Sequence, residues 1–129
     1  MKTPCDTVAN EPANVDLDRK ALDEIRAFGG EEVLRKVIGI FLQSSPALLE
    51  SLRAGARQGD PAVLAKAAHA LKSACGYLGA RRLMLSCERV EREARGARIC
   101  EASVQVAAIE QEYIAAVRAL ECEVEGQAP

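Results

Sequence analysis

Residues 61–79 read PAVLAKAAHALKSACGYLG, and the apolar positions in this stretch return with a helical period. At about 100° per residue, Leu64, Ala67, Ala68, Leu71, Ala74, Cys75 and Leu78 gather into a single arc, which must face a core. The start is set by Gly59-Asp60-Pro61: glycine suits the end of the preceding helix, aspartate accepts from first-turn amides, and proline fits where its missing N–H is not needed. Gly79 supplies the stop, because helices commonly end on a residue with positive φ. His69 falls roughly 170° from the centre of the arc by the same rotation and is expected to face solvent. Its neighbours three, four and seven residues away are Ala62, Ala65, Lys66, Lys72, Ser73 and Gly76. Most of these are small, so another protein's backbone can come close to the ring.

Working outward, the same periodicity predicts helices on both sides. One runs from about residue 17 to residue 28 and stops at Gly29-Gly30, short enough to serve as a lid. The next runs from about residue 31 to residue 58, with Leu34, Ile38, Phe41, Ser45, Leu48 and Leu52 as its buried stripe. Pro46 interrupts it, so either the helix kinks there or Ser45 caps a new start; a kinked continuous rod is the favoured reading. A further helix covers about residues 80 to 95, with Leu83, Cys87, Val90 and Ala94 on one side and Gly96 closing it. The last covers about residues 99 to 124, where Val106, Ile109, Tyr113, Val117, Leu120 and Val124 hold the stripe. The expected fold is all-α, an antiparallel four-helix bundle with a short additional N-terminal helix. It would occupy residues 17–124, between a flexible leader at 1–16 and a flexible C-terminus at 125–129.

Composition agrees and excludes several functions. Aromatics make up 3% of the 129 residues whereas alanine fills 23 positions, which favours helices over strands. A chain of this length holds one compact domain. With 17 Lys+Arg against 19 Asp+Glu the net charge is −2, so the field that gathers a polyanion is missing and nucleic acid is not an expected partner. No apolar run approaches the ~20 residues of a membrane span. The polar leader has no apolar segment of a secretory signal, so a cytoplasmic location is expected. Cys5, Cys75, Cys87, Cys100 and Cys122 are odd in number and contain no C-x-x-C pair, which argues against a disulfide framework and a zinc site. Cys75 and Cys87 fall on core stripes as small hydrophobes, and Cys5 and Cys122 are expected as exposed thiols.

The residues around His69 point to phosphoryl chemistry. A neutral imidazole nitrogen, available near neutral pH, can attack phosphorus. Hydrolytic schemes lack parts, because a Ser or Cys nucleophile needs a neighbouring base and the chain has one histidine. Neither G-x-x-x-x-G-K-[ST] nor G-x-G-x-x-G occurs, so no cradle for a nucleotide is visible and the phosphoryl group must come from another molecule. Lys72, one turn after His69, carries an ammonium that can reach a phosphoryl group on the ring. Such a pair at 4 Å is worth ~1 kcal/mol in water and ~4 kcal/mol near a protein surface. Ser73 and Gly76 weaken the helix, Gly by up to ~1 kcal/mol relative to Ala, and access for a partner would explain them.

Ala68-His69-Ala70-Leu71-Lys72-Ser73, followed by Leu78-Gly79-Ala80, Leu83, Cys87 and Glu91, resembles the histidine phosphotransfer (HPt) domain of bacterial multistep phosphorelays. The likeness covers about residues 17 to 123, with its signature between Ala65 and Glu91. It implies that His69 accepts a phosphoryl group from a receiver-domain aspartate and passes it to a response-regulator aspartate, with Lys72 as electrostatic support. The implied partners are receiver domains of response regulators or a hybrid sensor histidine kinase. The implied protein is a phosphocarrier with a phosphohistidine intermediate and no ATP-dependent kinase activity. No cofactor is implied beyond Mg²⁺ on the receiver. Ser73 stands where the family often has Gly, and Tyr77 where it often has Asn or Thr, which bears on partner preference.

Ala65, Lys66, Ser73, Gly76 and Tyr77 are the expected partner-binding positions, and no residue is expected to hold a metal. Lys66 can attract an acidic receiver site, but a lysine on an exposed helix face is more often simply solvated. The run Arg81, Arg82, Arg89, Arg92, Arg95 and Arg98, interleaved with Glu88, Glu91 and Glu93, reads as a salt-bridged face. Two other functions fit less of the pattern. One is a non-catalytic adaptor that binds and inhibits a receiver or kinase. The other is a sensor-kinase dimerisation hairpin, which usually has an acid after its histidine where Ala70 stands. A relay must release its partner quickly, so the complex should bury no more than ~1,200 Å² in total. A nanomolar, slowly dissociating complex in a binding-kinetics measurement would contradict that.

Overall fold

The computed structural model describes residues 17–99 and 101–125. The leader at 1–16 and residues 126–129 lie outside the described residues, and Glu125 is helical. Four helical elements follow in order: α1 (Arg19–Gln58), α2 (Pro61–Leu78), α3 (Arg81–Arg95) and α4 (Ala102–Glu125). Consecutive helices pack side by side and α4 returns to α1, closing a four-membered bundle. Antiparallel pairing is visible in the cross-links: Ser45 Oγ lies 2.8 Å from the Tyr113 hydroxyl between α1 and α4, while Arg53, further along α1, pairs with the earlier Glu110. None of the described helices is long and apolar enough to cross a membrane.

The punctuation at the ends of α2 acts as its chemistry requires. The Asp60 carboxylate accepts from the Ala62 N–H at 3.1 Å and the Val63 N–H at 3.3 Å, and Pro61 opens the helix. Gly79 closes it at φ 72°, and a Cβ there would lie 2.7 Å from the Asp18 carbonyl oxygen. Only glycine satisfies both demands. Leu64, Ala67, Ala68, Leu71, Cys75 and Leu78 are buried as the arc predicts, with Ala74 partly so.

The expected short first helix and the long second one are both present within the span of α1 and meet at a corner. Gly30, at φ 79° and ψ −172°, turns the chain between them. The N-terminal part lies across the end of the bundle, where the Asp18 N–H donates to the Gly79 carbonyl at 2.7 Å and Leu22 is fully buried. Arg26 binds Glu31, Asp23 and Glu123, and Arg19 also pairs with Glu123. This segment is a lid on the bundle's end, about ten residues of α2 away from His69.

Pro46 sits inside α1 with no departure from helical torsions, so the rod is continuous and Ser45 does not cap a new start. Ser45 instead donates back to the Phe41 carbonyl at 2.6 Å. The buried stripe shifts one position beyond it: Leu49 is buried where Leu48 was expected, and Leu48 packs at the margin. Both choices span the seven residues from Ser45 to Leu52 in one step of three and one of four, so the helical period does not distinguish them. At the other end of the bundle, the left-handed residue after α3 is Ala97 at φ 60°, not Gly96 at φ −88°. The Arg98 N–H reaches the Glu93 carbonyl at 2.8 Å across this turn, a Schellman closure. Cys122, expected as a thiol, is disulfide-bonded.

A left-handed alanine costs about 1 kcal/mol relative to glycine. Ala97→Gly should therefore raise the free energy of unfolding by about 1 kcal/mol in urea titration, and an unchanged or lower midpoint would contradict the strain.

Candidate functional site

Helices α2 and α3 meet along their buried faces, and the site forms at the edge of that seam. The His69 side chain is 55% exposed, as its place opposite the core arc requires, but it is anchored on one side. Its Nδ1 lies 2.9 Å from Oε2 of Glu91 on α3. Lys72 Nζ forms an ion pair with Oε1 of the same carboxylate at 2.9 Å. Arg95, one turn further along α3, donates to Oε2 from Nε at 3.0 Å and from Nη2 at 2.8 Å. One carboxylate therefore gathers an imidazole, an ammonium and a guanidinium.

Glu91 is only 7% exposed. Burial alone would push its carboxyl up, but Lys72, then Arg95 and His69, hold it well below the usual carboxylate range, at about 2. An ionised carboxylate can only accept, so Nδ1 of His69 carries the proton and donates it. In the neutral ring this leaves the lone pair on Nε2.

The structure brings together some of the sequence-selected residues and separates others. His69 and Lys72 share Glu91, although Lys72 is paired with the acid in this state. Ser73 and Gly76 are exposed along the same line of α2. A Cβ on Gly76 would meet nothing nearer than Met84 Sδ at 3.9 Å, so the chain's own packing does not demand glycine there. Lys66 is exposed beside the ring, whereas Ala65 is 9% exposed and contributes only a methyl edge. Tyr77, 73% exposed, stands two turns beyond His69. Among the described residues no group of three or more His, Cys, Asp or Glu is arranged to hold a metal ion.

Two residues of the site escaped the sequence reading, Glu91 as an anchor and Arg95 as its second cation. Both were assigned to a salt-bridged face; Arg95 does pair with Glu91 at 2.8 Å, as Arg89 pairs with Glu93 at 3.6 Å, but Glu91 is buried rather than solvated. The available signal was spacing: Leu83, Cys87 and Glu91 lie four apart, which puts an acid on the inner stripe of α3. Further along the same seam Cys75 and Cys87 are fully buried, and the Cys87 thiol is pushed far up, chiefly by its hydrogen bond with Cys75 and then by burial. These thiols pack rather than react.

A carboxyl whose pKa falls from 4.5 to about 2 on folding adds stability that is present above pH 4.5 and lost as pH falls through 2. Glu91→Gln should remove this contribution, flattening the decline in denaturation midpoint between pH 4.5 and 2. An unchanged slope in that window would show that Glu91 is not held by its cations.

A family model described as the Hpt domain matches residues 36–120. No curated protein matches the chain. Among solved structures, histidine-containing phosphotransfer protein B from Pseudomonas aeruginosa PAO1 is similar, with a TM-score of 0.80 and 24% identity over 88% of this chain and 97% of that one. At that identity the likeness speaks for the shared bundle. The matched span takes in all of α2 and α3 and most of α1 and α4, and so the chain belongs to the Hpt domain family and is a histidine phosphotransfer domain.

Proposed function

We propose that His69 is the phosphoacceptor and that its Nε2 takes the phosphoryl group from the aspartate of one receiver domain and returns it to the aspartate of another. The observation that carries this reading is the 2.9 Å contact between Nδ1 and a buried, ionised Glu91, which fixes the tautomer with the lone pair on Nε2 of a half-exposed ring. In the forward step the Nε2 lone pair forms the N–P bond while the P–O bond to the aspartyl oxygen breaks, and the carboxylate leaves with the electron pair. The ring becomes cationic, with its Nδ1–H directed at the Glu91 carboxylate. That carboxylate offsets the new charge without a proton having to leave first. The reverse step regenerates the neutral ring. Any Mg²⁺ is supplied by the receiver, whose carboxylates are the ligands magnesium prefers.

Lys72 acts on the phosphoryl group by exchanging partners. In the resting state its ammonium balances Glu91; when a dianionic group sits on the ring, the ammonium turns toward it. The two cations on Glu91 exceed its single charge, so the site as a whole favours an incoming anion.

Incubation with a phosphorylated receiver should leave an acid-labile, base-stable label on the protein. His69→Gln should abolish the label while preserving receiver binding, and Lys72→Ala should slow transfer about tenfold or more, equivalent to ~1.4 kcal/mol or more in the barrier. Label retained by His69→Gln would overturn the assignment. Receiver inhibition that survives His69→Gln would favour an adaptor.

A further inference from the structure

The two oxygens of Glu91 are held in different ways. Oε2 meets Nδ1 of His69 at 2.9 Å and takes two N–H groups of Arg95, from Nε at 3.0 Å and from Nη2 at 2.8 Å. Oε1 is buried and accepts no hydrogen bond of good geometry; the Lys72 ammonium, 2.9 Å away, balances it as an ion pair. One oxygen is thus fixed in direction, whereas the other is held by charge.

The setting of Arg95 suits a fixed task. It lies four residues after Glu91 in the last turn of α3, an order and a place that favour a cation. Its outer side borders an open depression of about 760 Å³ between the start of α2 and the end of α3. The acid on that border, Asp60, is engaged with the Ala62 and Val63 N–H groups and does not draw the guanidinium away.

We infer that Arg95 is a positioning residue for the transfer: by holding Oε2 against Nδ1 of His69, it frees Lys72 to leave Oε1 and follow the phosphoryl group. The inference rests on the phosphoacceptor reading and adds to it a residue that acts through Glu91. A buried carboxylate that loses a cation is costly. Were Lys72 its only full charge, departure of the ammonium would leave Glu91 facing a neutral ring as the phosphoryl group arrives. With Arg95 in place, one positive charge stays on the acid and the other can move. The side chains match these tasks, since a planar guanidinium fork loses little freedom per bond, while an ammonium on a four-carbon stem is easily redirected. The two N–H groups also fix where Oε2 sits, which gives Nδ1–H one acceptor position and keeps the lone pair on Nε2.

Single-turnover labelling of the full chain, with a phosphorylated receiver at several concentrations and separately with phosphoramidate, tests this. Arg95 is 61% exposed, so its replacement leaves the core intact. Arg95→Gln should lower the maximal rate at least fivefold with both donors, with the half-saturating receiver concentration within twofold of wild type. Arg95→Lys, which returns the charge without the fork, should recover most of the rate. In the Arg95→Gln background, Lys72→Ala should slow transfer less than twofold, because Lys72 already stays on the acid. The ¹⁵N spectrum of the His69 ring should show Nδ1 protonated in the neutral wild-type ring and a mixture of tautomers in Arg95→Gln. A maximal rate within twofold of wild type for Arg95→Gln, or a loss confined to half-saturation, would overturn the positioning role and leave the phosphoacceptor reading standing. Full additivity of Arg95→Gln and Lys72→Ala would overturn it as well. Absence of label on the wild-type protein from either donor would instead sink the phosphoacceptor reading.

Discussion

The buried carboxylate of Glu91 is the constraint on which the rest of the site depends. An acid only 7% exposed is unfavourable unless charges and donors surround it, and here two helices provide them: His69 and Lys72 from α2, Arg95 from α3. Each partner is thereby fixed in turn. The imidazole receives an orientation and a tautomer, the ammonium a resting place close to the ring, and the guanidinium a position at the edge of the adjoining hollow. Function and packing meet in one residue, because the seam that buries Glu91 is also the largest helix contact in the bundle's core.

The partition of charge in that seam explains why the unmodified site is stable yet receptive. One acid against two cations leaves a local excess of positive charge while the ring is neutral. On the proposed reading, a dianionic phosphoryl group on a ring made cationic adds a net charge of −1 and cancels that excess, and Lys72 is the side chain with the length to follow it. Lys72 is also the less exposed of the two cations, at 28% against 61% for Arg95. Its charge therefore acts through less water than that of Arg95.

Much of this could be read from residue order, and the failures have identifiable causes. The core arc of α2 was legible because seven apolar residues repeat at the helical period between a strong start and a strong stop. His69 and Lys72 were legible because they stand against that arc. Glu91 was not, since its neighbours Arg89, Arg92, Glu93 and Arg95 are also charged and a face of alternating sign looks solvated whether or not one member turns inward. Leu49 displaced Leu48 by a shift of one residue, which a stripe containing both cannot settle. Gly96 does cap α3 as read, but the left-handed torsion of the closure falls on the next residue, Ala97, which residue preferences alone do not indicate. The depression joins parts of the chain about 30 residues apart, and no local pattern reports on it.

The Gly30 corner has a mechanical meaning. Because the end-covering segment joins the rod through one residue with non-helical torsions, no helical backbone ladder runs unbroken from one into the other. Its attachment includes Leu22 with Leu17 and Ile25 packed beside it, the Gly79 carbonyl and the charges of Arg19 and Arg26. Such a segment can open as a separate cooperative unit, at a lower free energy than global unfolding. Amide exchange would then be graded along the chain, faster before residue 30 than in the seam between α2 and α3. The seam that holds His69, Lys72 and Glu91 would stay assembled while the far end of the molecule breathes.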